Sequence, residues 1–395
     1  MKVPLSWLKD FVEITLPVEE LAYRLTMAGL EVASIDSIGI PPPGATKGGG
    51  NKEEGLIWDR EKVLVGEIVE VKPHPNADRL TIAVVNYRKS EPIAVVTGAS
   101  NINVGDRGQK VVLALQGARL IDGYSEELRY MTLKPTKIRG VPSEGMVCSE
   151  KELGLSNEHE GILILDDDAP VGVPLQDYLG EIVLDIELTP NLSHALSIIG
   201  IAREVAALTG QRLKKRDEGR VKAEQLSSQT SFISVGIADP DLSSRYSAAL
   251  IRNVTIKPSS FWMQQRLRHA GMRPIDNIVD ITNYCMLEMG QPLHAFDFDR
   301  LKGGKIVVRR AKAGEAMITL DNIPRLLTEG MLLITDGSGP VAIAGVMGGA
   351  ETEVSQETKN ILLESANFNF ISIRKISQQL KLPSEASQRF GRGID

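Results

Sequence analysis

Histidine and cysteine are scarce in this chain, five and two among 395 residues. Cys148 and Cys285 have no CxxC neighbour and no histidine at zinc-ligand spacing, which excludes a disulfide framework and a zinc ribbon. Such cysteine usage leads us to expect a reduced, cytoplasmic protein. Long apolar runs are missing too. None approaches the ~18–20 residues that span a bilayer, so no membrane association is expected. The first residues, MKVPLSWLKDFVEI, carry charges inside their apolar stretch and no small-residue cleavage site, and do not read as a signal peptide. Nor is there an excess of positive charge. The net charge of −6 argues against broad, nonspecific nucleic-acid binding, though not against a local basic patch. No GxSxG elbow, GxGxxG or P-loop occurs, so a serine-hydrolase triad, a Rossmann site and a Walker-type phosphate cradle are not suggested.

What is present falls into blocks. Residues 1–36 read as a compact unit, with Leu5, Leu8, Phe11 and Val12 at helical spacing and a second helix, containing Leu21 and Leu25, stopped at Gly29. PPPGATKGGGNKEEG, residues 41–55, can form no core and reads as a loop or linker. Residues 62–148 hold short β-rich runs such as VLVGEIVEV and QKVVLALQGARL between turn signals, the pattern of a small barrel or sandwich. IVLDIELTPN then reads as a strand and SIIGIAREVAALTG as a helix closed by Gly210. Residues 211–231 have no sustained apolar face and read as a second linker. Beyond it lies a mixed α/β region, with one helix expected between Ser260 as N-cap and Gly271 as C-cap.

Several stretches could carry chemistry. In HPNADRL, His74 and Asp78 are four apart, but Pro73 and Pro75 prevent a helix from placing them on one face, and the stretch reads as a turn. RYMTLKPTKIRG holds Arg129, Lys134, Lys137 and Arg139 with Tyr130 interleaved and no acid. A nucleic-acid-binding barrel face and a solvated strand face fit it equally. GVMGG, residues 345–349, reads as backbone that must approach a ligand or another strand closely. By local sequence alone, Glu364 reads as a strand-end carboxylate facing solvent. His294, in MGQPLHAFDFDRL, reads as a histidine satisfied within a core.

Three motif groups, in order along the chain, alter those last two readings. MKVPLSWLKDFVEI with LTMAGLEV, VGEIVEVKPHPNADRL with KIRGVPSEGMVCSEKELGL, and RPIDNIVDITNYCMLEMGQPLHAFDFDRL with AIAGVMGGAETEV and SEASQRFGRGID together resemble the N-terminal half of the bacterial phenylalanyl-tRNA synthetase β subunit. The resemblance implies a multidomain α+β chain with an inserted OB-like β-barrel and a C-terminal α/β editing domain. Its divisions would be a discontinuous N-terminal domain (1–40 with 159–210), a linker (41–59), an OB-fold tRNA-binding domain (60–158), a second linker (211–230) and the editing domain (231–395).

The same resemblance places editing-pocket positions on Thr282, Asn283 and His294 as catalytic residues, and on Glu364, Pro292, Ala344 and Gly345 as substrate-binding residues, with no metal. His294 and Glu364 are then expected to be functional, and Arg129, Lys134, Lys137 and Arg139 to bind tRNA. The implied activity is that of an aminoacyl-tRNA ligase subunit that hydrolyses mischarged tyrosyl-tRNA(Phe). Its implied partners are tRNA(Phe) and an α subunit, in an α2β2 assembly. No cofactor is implied for this chain, whereas ATP and Mg2+ are implied for the whole synthetase. The TPN segment departs from the family pattern, with Leu192 in place of an Arg and His194 in place of an Asp, and the 41–59 linker is longer than expected. The family's β subunit continues beyond the position of Asp395, so aminoacylation, the α subunit's task, is not expected from this chain alone. A tRNA-docking scaffold without active editing and a free-standing trans-editing deacylase are the alternatives.

Overall fold

The computed structural model describes residues 1–44, 55–88, 91–214 and 233–394. Near the N-terminus, an antiparallel three-stranded sheet is built from strands distant in sequence. Its middle strand, Glu181–Glu187, pairs with Lys2–Pro4 on one side and Glu31–Ile38 on the other. The helices Val18–Met27 and Ile198–Thr209 cover it, and Val3, Trp7, Leu21, Leu25, Ile186 and Ile201 form the shared core. Ser197 caps the later helix by accepting from the Gly200 N–H, and Gly210 ends it in the left-handed region with φ 69°. The first expected helix is a single turn, Leu5–Leu8. Phe11 and Val12 are buried all the same, because both of their N–H groups turn back onto the Leu8 carbonyl and Val12 bridges to Leu213.

The excursion between Ile38 and Glu181 contains a five-stranded antiparallel sheet in the order Gly145–Val147, Lys110–Leu115, Val63–Pro73, Thr81–Asn86, Ile93–Thr97. The 11-residue strand Val63–Pro73 serves both halves. Its first part pairs with Lys110–Leu115 and its second with Thr81–Asn86, with a bulge between Ile68 and Glu70 that bends the sheet round. The two edges nearly meet, joined by the Glu144 N–H to the Ala94 carbonyl at 3.0 Å and the Val96 N–H to Ser143 Oγ at 3.1 Å.

Two expectations change here. Leu56 and Trp58, placed in the 41–59 linker by composition, are buried in the barrel core, and the Trp58 indole donates to the Leu153 carbonyl at 3.0 Å. Two aromatic or aliphatic anchors outweigh the polar residues around them; residues 45–54 of that linker lie outside the described residues. Residues 162–175, grouped above with the N-terminal unit, also pack on the barrel. Ile162, Leu163, Leu165 and Leu175 enter its core, and Ile164 and Pro174 bridge to Val111 and Leu64. Of the second linker, residues 211–214 are described and the rest of the stretch is not.

In the C-terminal region two main sheets, with the small hairpin Ala316–Ile318 and Pro324–Leu326 beside them, surround one apolar core among the described residues. The larger runs Ser234–Ile237, Lys305–Arg310, Leu332–Thr335, Pro340–Ile343, Met347–Gly348. The smaller runs Arg245–Ile251, Ile361–Asn367, Leu293–Asp297. Asp276 caps the helix Asn277–Met289 through the Ile278 and Val279 N–H groups, and Gly290, with φ 91°, turns the chain into the strand Leu293–Asp297. The helix Phe261–His269 starts after Ser260, but that side chain makes no cap bond, and its C-cap is Ala270 with Gly271 following at φ 85°. Both helices join the N-terminal core: Trp7 stacks on Tyr284 at 4.5 Å and donates to Glu288 at 3.0 Å, and Leu267 and Leu287 pack beside them.

Candidate functional site

The candidate site grows out of strand register. On Ile361–Asn367, side chains alternate, and Leu362, Glu364 and Ala366 take the core face. Antiparallel pairing sets His294 directly opposite Glu364 on one neighbour and Ala248 opposite it on the other. A carboxyl is therefore carried into an apolar layer by the period of the strand. Burial pushes Glu364 up to about 8, and Tyr246, donating its hydroxyl to Oε2 at 3.2 Å, only partly offsets this. His294 meets the Phe296 ring edge-on at 4.4 Å, and burial lowers its imidazole to about 4. Near neutral pH the pair is accordingly an acid that keeps its proton and an uncharged imidazole, not an ion pair. Such a carboxyl can both donate and accept a hydrogen bond.

Both side chains face a cavity of about 290 Å³ whose lining includes Asn283, Pro292, Gly345, Gly348 and Phe390. The glycines are there for space. A Cβ on Gly348 would stand 2.6 Å from His294 Cε1, and one on Gly345, whose φ is 66°, would lie 3.0 Å from both Phe368 and Phe390. The close-approach reading of GVMGG is thus met by protein rings.

Five of the seven expected pocket residues, Asn283, Pro292, His294, Gly345 and Glu364, come together around this cavity. Thr282 and Ala344 stand behind its wall. The Thr282 hydroxyl donates to the Val279 carbonyl of its own helix at 2.7 Å, and Ala344 is fully buried in the core, its N–H bonded to the Leu332 carbonyl. Helical periodicity explains the first displacement, since neighbours 282 and 283 point about 100° apart. The expectation that Glu364 faces solvent is overturned by its 6% exposure. Tyr246, Gly348, Ser384 and Glu385 also belong to the site or its rim. Of these, Gly348 lay in a glycine cluster and Ser384 and Glu385 in a quoted motif, while Tyr246 gave no signal beyond alternation in its strand.

The basic strip is divided differently from a single barrel face. Arg129 and Lys134 flank the strand Tyr130–Thr132, paired with Arg119–Ile121. Lys137 and Arg139 belong to the hairpin Thr136–Ile138 with Val141–Ser143. All four are exposed and lie outside the five-stranded sheet. Arg139 and Gly140, both with positive φ, form the hairpin's two-residue turn. The HPNAD turn holds it: His74 Nε2 lies 3.1 Å from the Ile138 carbonyl, and Asn76 donates to the Arg139 carbonyl at 3.0 Å. In the divergent TPN segment, His194 contacts Glu204 at 2.9 Å and Leu192 packs on the N-terminal core. Among the described residues, no group of three or more His, Cys, Asp or Glu side chains is placed to hold a metal ion.

Residues 63–174 match a family described as "Putative tRNA binding domain", and residues 242–395 match the B3/4 domain. A phenylalanine–tRNA ligase beta subunit of Dehalococcoides mccartyi (strain ATCC BAA-2266 / KCTC 15142 / 195) is 48% identical over 394 residues, covering 100% of this chain and 46% of that protein. Over its whole length the chain is thus similar to phenylalanine–tRNA ligase beta subunits. The beta subunit of Moorella thermoacetica (strain ATCC 39073 / JCM 9320) is 46% identical over 403 residues, again covering 100% of the chain and 46% of the relative. This chain therefore spans about half the length of these beta subunits. A crystal structure of an N-terminal fragment of the phenylalanyl-tRNA synthetase beta-subunit from Pyrococcus horikoshii matches 52% of this chain and 62% of that chain at 14% identity, with a TM-score of 0.27. Within the family frame, the barrel lies in the tRNA-binding match and the Glu364–His294 cavity in the B3/4 match.

Proposed function

We propose that this chain carries the tRNA-docking and editing part of a phenylalanine–tRNA ligase, hydrolysing tyrosyl-tRNA(Phe) while an α subunit performs aminoacylation. The observation that carries the reading is the buried, proton-retaining Glu364 facing a small, largely apolar cavity opposite an uncharged His294. A synthetic site shaped for phenylalanine rejects tyrosine, the same side chain with one added hydroxyl, by only ~10²-fold. A second site can instead require that hydroxyl. At about 290 Å³ the cavity suits one aromatic side chain rather than a larger ligand. The tyrosine hydroxyl satisfies the Glu364 carboxyl, which phenylalanine leaves without a ligand partner.

Hydrolysis adds water to the ester carbonyl carbon and breaks its bond to the terminal ribose oxygen, which leaves with a proton. With its imidazole lowered to about 4, His294 is a weak base near pH 7. We assign it, with Asn283, to holding the ester and the water, and a ribose hydroxyl at the tRNA 3′ end to assisting the attack. Pro292 and Gly345 shape the wall, Ala344 keeps the layer behind it thin, and Thr282 seats the helical turn that presents Asn283. Arg129, Lys134, Lys137 and Arg139 dock tRNA. We further propose cytoplasmic location and an α2β2 complex, in which ATP and Mg2+ serve aminoacylation on the α subunit. No helix among the described residues is long and apolar enough to cross a membrane.

Single-turnover release of amino acid from preformed tyrosyl-tRNA(Phe) and phenylalanyl-tRNA(Phe) tests the reading. Wild-type protein should release tyrosine preferentially, and Glu364→Ala should abolish the preference by slowing the tyrosyl substrate. A folded Glu364→Ala protein that keeps the original ratio would sink the hydroxyl-reading role. A wild-type chain that leaves tyrosyl-tRNA(Phe) intact would leave a docking scaffold.

A further inference from the structure

Where the barrel's edge strands fail to pair fully, a groove of about 510 Å³ opens between the end of Ile93–Thr97 and the two outer hairpins. Met131 and Leu133 line its apolar part, and Lys134 stands on its wall. At its rim Tyr124 is 90% exposed, an unusual state for so large a ring. The ring is nevertheless held, edge-on to His159 at 4.7 Å, and His159 comes this close because Gly123 has no Cβ to obstruct it. The base of the groove is polar. Glu152 Oε2 accepts from the Ser149 N–H at 2.6 Å and from its hydroxyl at 3.0 Å, and Ser149 Oγ lies 3.1 Å from His159 Nδ1. Glu152 Oε1 lies 3.8 Å from His159 Nδ1. On the groove wall and beside it, the cations of Lys134, Arg129, Lys137 and Arg139 have no ion-pair partner among the described residues.

We propose that this groove binds an unstacked base of a single-stranded RNA segment, with Tyr124 as the stacking platform. The inference rests on the tRNA-docking reading and gives it a location. A base brings two apolar faces, which Tyr124 and Met131 can cover, and an edge of N–H and C=O groups, which the Ser149–Glu152–His159 cluster can meet. Its flanking phosphates reach the four cations that have no ion-pair partner among the described residues. A duplex keeps its base faces stacked on one another and cannot offer one to Tyr124.

Fluorescence anisotropy over a salt series tests this with the whole chain and three probes: a single-stranded RNA oligonucleotide of mixed sequence, the same strand annealed to its complement, and tRNA(Phe). Tyr124→Ala should weaken binding of the single strand by about 5- to 150-fold, the worth of one base–aromatic stack, without changing the salt slope or the melting temperature. Lys134→Gln with Lys137→Gln should instead reduce the single-strand slope by about 0.7 per lost phosphate contact. Binding by Tyr124→Ala within twofold of wild type, or an equal loss on the duplex, overturns the base-binding groove. If the lysine pair still flattens the tRNA slope in that event, the docking reading survives alone; an unchanged tRNA slope removes both.

Discussion

Two side chains on adjacent strands titrate in opposite senses, and protein stability should report it. Glu364 binds its proton more tightly in the folded state, at about 8, than its ordinary value of 4.5. Its stabilising contribution is complete below the ordinary value and is lost as pH rises toward and through 8. His294, lowered from 6.5 to about 4, loses stability in the other direction, as pH falls through that interval. His294 is present in both Glu364→Gln and wild type, so comparing the two over pH 6.5 to 8 cancels the imidazole's remaining titration and isolates the carboxyl. Glu364→Gln keeps the shape and removes the proton exchange. Its melting temperature should therefore fall less over that window than that of wild type. Parallel curves for the two proteins would mean that Glu364 is solvated well enough to ionise normally. Tyr246 matters here because its hydroxyl donates to Glu364 and favours the charged form, although nothing in its own strand singles it out.

At the level of elements, the pocket depends on one strand crossing in front of another. Met347–Gly348 pairs with Pro340–Ile343 in the larger sheet, while His294 comes from the smaller one, and the imidazole fits only because position 348 has no side chain. Gly348→Ala should displace the ring by a few tenths of an ångström or more. Positioning errors of about 1 Å can cost on the order of 10²-fold in rate, so tyrosyl-tRNA(Phe) hydrolysis should fall at least about tenfold. The backbone there needs no positive φ, so far-ultraviolet circular dichroism should stay that of wild type. Full hydrolytic activity in Gly348→Ala would show that His294 does not need its present position. Helix ends fix the other wall: Gly290 stops Asn277–Met289 and delivers Pro292 and His294 one after the other to the cavity.

Across the whole molecule, the cavity is tied to the N-terminal unit by a buried cation. Arg389, 1% exposed, donates to the Leu196 carbonyl at 3.1 Å, to the Glu385 carbonyl at 3.1 Å and to its carboxylate at 2.6 Å. Leu196 follows the divergent TPN segment, and Glu385 stands at the cavity rim. Arg389→Met keeps the apolar stem but leaves the Leu196 carbonyl without this donor, and should destabilise the protein by about 2 kcal/mol. Denaturant unfolding measures that directly, and hydrolysis should slow alongside because the rim loses its anchor. A stability change below about 0.5 kcal/mol, the range of ordinary surface substitutions, would show that the connection contributes little.

Period and punctuation in the sequence were enough to find the barrel strands and the helix ended by Gly210, because these depend on neighbours within a few residues. The motif resemblance gave Glu364, His294 and Gly345 their expected roles, and the matches along the chain agree with the family it named. Other features were decided only in three dimensions. Trp58 looked like linker because its neighbours are polar, and it is core because Leu153 and the barrel lie next to it. Residues 162–175 joined the barrel because apolar side chains follow the nearest uncovered face, whatever their place in the chain. Likewise, the alternation that puts a carboxylate on a strand does not say which face is covered. Two further strands, one bearing Tyr246 and the other His294, determine that Glu364 lies inside, and burial there, not its identity as a glutamate, holds its proton near neutral pH.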